Sequence, residues 1–508
     1  MLNNWLFKTQ GKPDKGGKEM KKVLLQGSLL GTLMLAGVAA YLILFLQDTG
    51  KTYAQENPLQ IPILIDSLEA DNNIELAIQD GAHEFFAGIK SDTKGFGQSY
   101  LGPTIRLYKG ETTRLTYRNN LTENTTVHGH GLHVSGRVDG GPQGKILAGQ
   151  SLSVDLPIVQ EAGTSWYHPH YMGKTGEQVH AGLAGLYIIE DENSQSLPLP
   201  KAYGVDDIPL IIQDRTFVDG KMKPYKVTHR QILDGLVEET LVINGTVNPY
   251  HQAPAGWVRL RLLNASNARF YRFFFTDDAP FYKIATEGGF LNKPVAMTSL
   301  SMSPGERNEI MVNLADLTSL SLMAEFLPMD PEDQTWFFEN PVQRVIDLRV
   351  DASLPANGTL PSKLNNIAYY QQADIDNAVR RDFTMYMEDE DQELHGHNLL
   401  SINNVAMQMD VINEQVKQGD MELWMVKGEM MPHPFHVHGV SFQIITHNGQ
   451  PPAEADRGWK DTLVVTEEPT EILMRFDHLA SQEFPYMYHC HIFEHEESGM
   501  MGQFTVTQ

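Results

Sequence analysis

From about residue 57 to the C-terminus, short runs of alternating apolar and polar residues are cut by Gly, Pro, Asn and Asp. Successive side chains of a strand point to opposite faces, so each run sets one face on a core and the other towards water. Short strands punctuated by turn residues are the pattern of an all-β sandwich, in which helices should be few and short. A weak internal repeat adds to this. Leu101-Gly102-Pro103-Thr104 leads into 105–120, where Ile105 and Leu107 alternate with Arg106 and Tyr108. Ile243-Asn244-Gly245 precedes Val258-Arg259-Leu260-Arg261-Leu262, and Ile402-Asn403-Asn404 precedes Met421-Glu422-Leu423-Trp424-Met425. Three occurrences at intervals of roughly 150 residues predict three similar β-sandwich domains, 57–200, 201–360 and 361–508, with Pro-rich joints at 197–200 and 354–361.

The chain has 508 residues, 41% of them apolar, enough for two to four compact domains and too apolar for a disordered chain. Acidic residues outnumber basic ones, 64 against 39, for a formal charge of −25. A generic nucleic-acid binder should be basic, so that class is disfavoured, whereas an acidic surface attracts cations. Residues 23–46 form a long apolar segment behind Lys8, Lys12, Lys15, Lys18, Lys21 and Lys22. This reads as a secretory signal or an uncleaved inner-membrane anchor, with 1–22 as a basic cytoplasmic N-region and the body outside the cytoplasm. The run is long for a signal core, and Thr52-Tyr53-Ala54 is only a fair cleavage site. One cysteine rules out an internal disulfide, so an exported thiol must be buried, a liability or a ligand.

Ten of the nineteen histidines fall into four clusters, two in the first predicted domain and two in the third. They are His128-Gly129-His130, His168-Pro169-His170, His433-Pro434-Phe435-His436-Val437-His438, and His489-Cys490-His491 followed by His495 and Met500. The middle domain has only His229 and His251. On a strand His-x-His delivers two imidazoles to one side, enough for one metal or two adjacent ones. In His489-Cys490-His491 the thiolate faces away from both imidazoles, so one tripeptide touches two separate metal centres. Cys490 and His495, with a histidine from another strand and Met500 as a weak axial sulfur, match the His₂Cys set of blue copper. Zinc also takes His and Cys, but gives no reason for Met500 or for histidines on the reverse face.

The four clusters, in this order, resemble those of the multicopper oxidases. The resemblance is closest to the bacterial periplasmic copper-efflux (cuprous) oxidases, through Val138-Asp139-Gly140-Gly141-Pro142-Gln143-Gly144, Gly182-Leu183-Ala184-Gly185-Leu186 and Gly458-Trp459-Lys460-Asp461-Thr462. It implies three cupredoxin-like Greek-key sandwiches, a periplasmic location and four copper ions. Carried over by position, the type 1 copper belongs to His433, Cys490, His495 and Met500, and the type 2 copper to His128 and His436. The coupled type 3 pair belongs to His130, His168, His170, His438, His489 and His491. The trinuclear cluster then lies between the first and third domains, with the middle one as a spacer. The implied reaction couples four one-electron oxidations of a donor, through Cys490, to reduction of dioxygen to two waters. Asp139 and Glu496 stand where acids of similar enzymes deliver protons. The plainer reading makes Asp139 a loop acid and Glu496 a carboxylate that only orients ligands.

Some positions depart from the family. Gly129 replaces a frequent bulky aromatic. His133 is an extra imidazole, read as lying near the ligands or at the surface, and His180 as structural or exposed. The electron donor is the least defined element. Cuprous oxidases carry a Met-rich insertion before the His433 cluster, whereas 382–409 here is short. It offers Met385, Met387, Met407 and Met409 beside the acidic residues 388–391, Glu393, His395 and His397. Thioethers suit Cu(I) and carboxylates suit Fe(II) or Mn(II), while alternating methionines also suit a strand core. With Glu429 and Met431 just before His433, the expectation is a Cu(I) oxidase with Met387, Glu429 and Met431 at the donor's approach. The alternatives are a phenol oxidase with an open, partly apolar pocket beside His433, an Fe(II) or Mn(II) oxidase, and a non-enzymatic relative with a structural or cell-division role. The complete ligand set argues against the last. Copper nitrite reductases lack the His-Cys-His arrangement.

Overall fold

The computed structural model describes residues 55–328, 341–387 and 400–508. The apolar segment 23–46, its basic flank 1–22, Thr52-Tyr53-Ala54, the acids 388–391, Glu393, His395 and His397 lie outside the described residues. Among the described residues no helix is long and apolar enough to cross a membrane.

The described part of 56–508 folds as three pairs of β-sheets that succeed one another along the chain, with one small ribbon, Phe217–Val218 against Lys221–Met222. The alternation explains why. Thr112–Asn119 and Asn73–Phe86 bury every second side chain over most of their lengths. Described helices are at most six residues long, as expected for a chain built on period two.

One wiring recurs in the three units. In one sheet of each, a first strand is flanked by an antiparallel second strand and a parallel third. That third strand pairs antiparallel with a fourth. In the first unit the parallel pair is Asn73–Phe86 with Thr112–Asn119, in the second Asp207–Arg215 with Trp257–Asn264, and in the third Val379–Met387 with Met421–Gly428. The sequence repeat is therefore structural in the second and third units. Asn244 and Gly245 turn the second strand, Thr240–Ile243, back on Thr246–Val247, and Asn403 and Asn404 turn the second strand, Leu400–Ile402, back on Val405, all four at positive φ. In the first unit the matching strand is Thr112–Asn119; Gly88 turns between the first two strands, and Leu101, at φ +59, follows the second strand as Asn244 and Asn403 do.

The two Pro-rich joints lie against each other, Thr359 N–H donating to the Pro198 carbonyl at 2.7 Å. One crossing breaks the tidy division: Asn57–Pro58 pairs with Pro249–Ala253 in the middle unit.

Each end unit places its histidines on the sheet that does not carry the recurrent parallel pair. His128–His130 is an edge strand beside Gly163–His168, and His433–Val437 lies between Tyr486–Cys490 and Thr462–Val465.

Candidate metal centres

Strand register does the first part of the assembly. It sets His128 opposite His168, His436 opposite His489 and Phe435 opposite Cys490. The alternating faces then separate two sites. Cys490 joins the apolar interior of the third unit, together with Met500, Phe435 and Val437. His489 and His491 meet histidines of the first unit on the other side.

In the first of these sites, Cys490 Sγ lies 3.7 Å from His433 Nδ1 and 3.6 Å from His495 Nδ1. A short helix, Phe493–Glu497, presents His495. Gly499, at φ +118, then turns the chain so that Met500 returns beside Cys490, whose N–H donates to the Met500 carbonyl at 3.0 Å. The far nitrogens are tied to backbone: His433 Nε2 donates to the Glu429 carbonyl at 3.1 Å and His495 Nε2 to the Leu233 carbonyl at 2.6 Å. This leaves both Nδ1 lone pairs facing the sulfur. Burial lowers His433 to about 4 and His495 to about 3, so both are neutral donors at ordinary pH. Burial pushes the Cys490 thiol up, so a thiolate there requires a cation beside it. Ligand atoms about 2.0 Å (nitrogen) and 2.3 Å (sulfur) from one ion, ~120° apart, are separated by ~3.7 Å. The three side chains fit a trigonal metal.

The second site gathers eight imidazoles from the four clusters. Ligand atoms of His128, His436 and His438 lie within 4.8 Å of one another, as do those of His128, His130 and His168, and of His170, His438 and His489. His491 Nε2 lies 3.3 Å from His130 Nδ1, His170 Nε2 lies 3.3 Å from His489 Nε2, and His438 Nε2 lies 3.2 Å from His489 Nε2. His438 Nδ1 donates to Asp139 Oδ2 at 2.8 Å and His489 Nδ1 to the Cys490 carbonyl at 2.8 Å. The facing Nε2 atoms of that pair are therefore both lone pairs, and repel unless a cation lies between them. Two nitrogens bound at about 2.0–2.1 Å to one tetrahedral ion stand ~3.3 Å apart. His128, His168 and His436 each leave Nε2 buried without a hydrogen-bond partner, while Nδ1 donates to the carbonyls of Asp139, Pro169 and Asp461. The donor set fits bound metal ions.

Carboxylates frame this second site. Asp139 Oδ2 also lies 3.3 Å from His128 Nδ1, and its Oδ1 is buried and unpartnered. Glu496 places Oε1 at 3.4 Å from His170 Nδ1 and Oε2 at 3.3 Å from His489 Nδ1. Burial, together with Glu497 and Glu494, pushes its carboxyl well above the usual range.

Sequence reasoning missed two residues here. Asp461 accepts from His130 Nε2 at 3.2 Å, and Arg307 of the middle unit grips Asp461 at 2.8 Å and 2.5 Å. Burial alone would raise the Asp461 carboxyl, but Arg307 and His130 outweigh it and hold it well below the usual carboxylate range. Gly305, at φ +84, backs His491 so closely that a Cβ would sit 2.7 Å from the ring. The middle unit thus braces two ligands of the cluster, His130 through Asp461 and His491 through Gly305. Asp461 lies inside a quoted family stretch, but nothing in the sequence tied Arg307 to it.

The remaining expectations sort as follows. The space beside Gly129 is taken by Leu132, whose Cδ1 is 2.7 Å from where a Cβ would be. His133 is bonded to Ser441 at 2.9 Å and belongs to none of the metal groups. His180 is buried and bonded to Glu238 at 2.8 Å, a structural role. Met385 and Met387 are core residues of the third unit. Met407 and Met409 pack elsewhere, with Met172, Met487 and Met501. Glu429 is partly exposed, and Met431 packs on the interior that contains Cys490 and Met500.

Models of the family described as multicopper oxidase match residues 77–194 and 373–508. A multicopper oxidase of Staphylococcus aureus, named mco, is 33% identical over 461 residues, 89% of this chain and 93% of its own. The chain belongs to the multicopper oxidase family. Family membership makes its sandwiches cupredoxin-like and copper its metal. A laccase-like multicopper oxidase of Ochrobactrum sp., CueO, superimposes with a TM-score of 0.80 at 35% identity, over 89% of this chain and 100% of that one. The cell division protein FtsP of Xenorhabdus nematophila is 36% identical over 457 residues, 89% of this chain and 93% of its own.

Proposed function

We propose that this oxidoreductase carries four copper ions and oxidises Cu(I) at the expense of dioxygen, forming two waters for every four electrons. The type 1 ion falls to His433, Cys490, His495 and Met500, and the type 2 ion to His128 and His436. The type 3 pair falls to His130, His168, His170, His438, His489 and His491. One observation carries the reading: the lone pairs of His438 and His489 face each other at 3.2 Å, each ring's other nitrogen already donating. Copper in these positions would supply one-electron transfer at the thiolate and four-electron reduction of dioxygen at the histidine cluster. The chain's own part is to join and serve the two sites. The Cys490 carbonyl accepts from His489 Nδ1, which adds a hydrogen bond to the covalent path between them. Glu496 is the proton donor on the His170 and His489 side, while Asp139 orients His128 and His438 and serves as the second proton carrier.

Cu(I) is favoured as donor because Glu429 and Met431 bracket the approach to His433, a thioether and a carboxylate beside a buried electron port. Met387 stands two residues beyond Met385, whose carbonyl accepts from Glu429 N–H at 3.0 Å. A phenol oxidase is the second reading, favoured by the laccase-like CueO. Against it, two clefts of about 270 and 250 Å³ are lined by other residues, including Tyr369, Tyr370, His133 and Trp459, and by none of the four type 1 residues. The relatives named FtsP bring in cell division, but a structural role gives no reason for converging imidazole lone pairs. The units 57–200, 201–360 and 361–508 are placed in the periplasm, behind a signal or anchor at 23–46.

The test compares Cu(I), Fe(II), Mn(II) and a substituted phenol under identical oxygen, with copper content measured on the same sample. Cu(I) should be fastest. Anaerobic reduction of the blue centre no faster by Cu(I) than by the phenol overturns the choice of donor.

A further inference from the structure

Among the apolar clusters of the described residues, one consists of methionine alone. Met407, Met487 and Met501 are buried there, and the half-buried Met172 and Met409 close it on the outside. A core that only needed filling would draw on branched and aromatic side chains, as the other five clusters do. The five come from four separate places in the chain, so tertiary structure and not a sequence run brings them together. Three of them neighbour ligands of the histidine cluster along the chain or across the sheet. Met487 precedes His489 by two residues on the same strand face, and Met501 is the direct cross-strand partner of His489. Met172 follows His170 by two residues.

The loop that carries Met407 and Met409 is held in place from both end units. Gln503 Nε2 donates to the carbonyls of Gln408 and Met409 at 3.1 and 3.2 Å, and Gln503 Oε1 accepts from Gln143 Nε2 at 2.8 Å. Gln143 Oε1 is buried without a partner. Gly141 brings these groups together: a Cβ there would stand 3.7 Å from Asp139 Oδ2, 4.0 Å from Gln143 Oε1 and 4.0 Å from Met487 Cγ. The methionine cluster thus runs from half-buried Met172 and Met409 to Met487, which shares the surroundings of Gly141 with Asp139, the carboxylate bonded to His438.

Soft thioethers select monovalent copper over the harder divalent ions. We infer that Met172, Met407, Met409, Met487 and Met501 form a Cu(I) site beside the histidine cluster, through which the cluster is loaded with metal. No electron moves in this step; the ion passes from thioether to imidazole. The site is separate from Glu429 and Met431, which stand at the thiolate centre. It rests on reading the histidine cluster as a copper site, and the experiments below separate the two.

Silver(I), a soft monovalent ion, is the probe. Oxidised, fully copper-loaded protein carrying Glu429→Gln and Met431→Leu, so that the donor approach is removed, is equilibrated with Ag(I) and its bound silver counted. One Ag(I) per chain should remain, with Ag–S scattering in X-ray absorption. Adding Met172→Leu and Met409→Leu, which conserve volume, should abolish it with copper content unchanged. Silver bound equally with and without these two methionines overturns the inference, as does no silver in the parent. In a second arm the metal-free chain is loaded anaerobically with Cu(I), or with Cu(II), and its copper content followed. The leucine pair should slow uptake of Cu(I) ~10-fold and leave Cu(II) uptake unchanged. Equal slowing of both, or of neither, refutes a loading role. A parent chain that never fills its histidine cluster with either ion instead refutes the copper reading beneath it.

Discussion

The two candidate centres share one tripeptide and differ in what holds their imidazoles. Around the thiolate, His433 and His495 donate to backbone carbonyls of Glu429 and Leu233. Around the histidine cluster, carboxylates do much of that work: Asp139 for His438, Asp461 for His130, and Glu496 beside His170 and His489. A carbonyl fixes a ring but has no proton to give. An electron port needs nothing more, whereas making water needs protons at a buried place. The centres also differ in assembly. Cys490, His495 and Met500 lie close together in the chain, while the cluster closes only when first and third units meet, braced by Arg307 of the middle one. A local site should survive insults that dismantle the distributed one.

The strongest way to break that contrast is Arg307→Met. It leaves Asp461 buried without its counter-charge, a change that costs ~3–5 kcal/mol, and weakens metal affinity at the cluster ~10–100-fold. Copper analysis and thermal melts should show fewer ions and a lower Tm, with the blue absorption retained; loss of blue colour first contradicts the contrast. Acid should act on the same side. Glu309 bonds Thr164, on the strand that carries His168. Burial would raise its carboxyl, but Arg259 and Arg261 outweigh this and hold it at about 2 against an ordinary 4.5. Because the folded value is the lower one, the stabilisation is complete above pH 4.5 and is lost as pH falls towards 2, to the extent of ~3 kcal/mol. Melts across that range should show the loss, and Glu309→Gln should lack that part of the slope. Smaller again, Glu496→Gln should slow oxygen reduction ~10²-fold and leave the chromophore intact. Unchanged turnover under oxygen-limited conditions removes Glu496 from proton delivery.

Much of this was legible in the sequence because the signals are local. Period-two runs gave the strands, and His-x-His spacing gave the paired imidazoles. The offset from Cys490 to Met500 needs only a short helix and one turn. What was hidden depends on partners far apart in the chain. Arg307 and Asp461 are separated by 154 positions, and no local pattern links them. In the first unit Leu101 takes the positive φ of the repeat, but the strand that follows it directly, Thr104–Tyr108, joins the other sheet, and the match to Trp257–Asn264 is Thr112–Asn119. Met385 and Met407 look alike in sequence, yet strand pairing sends one to the third unit's interior and the loop pinned by Gln503 sends the other towards the histidines.

The central claim is that a thiolate metal site and a histidine cluster sit back to back on His489-Cys490-His491. Copper counting with visible absorption, on the intact chain and on Cys490→Ser, tests it most directly. The account predicts four copper ions and an intense blue colour for the first, and three ions without the colour for the second. A fully loaded, colourless parent, or a serine variant that keeps both the fourth ion and the blue absorption, would contradict it.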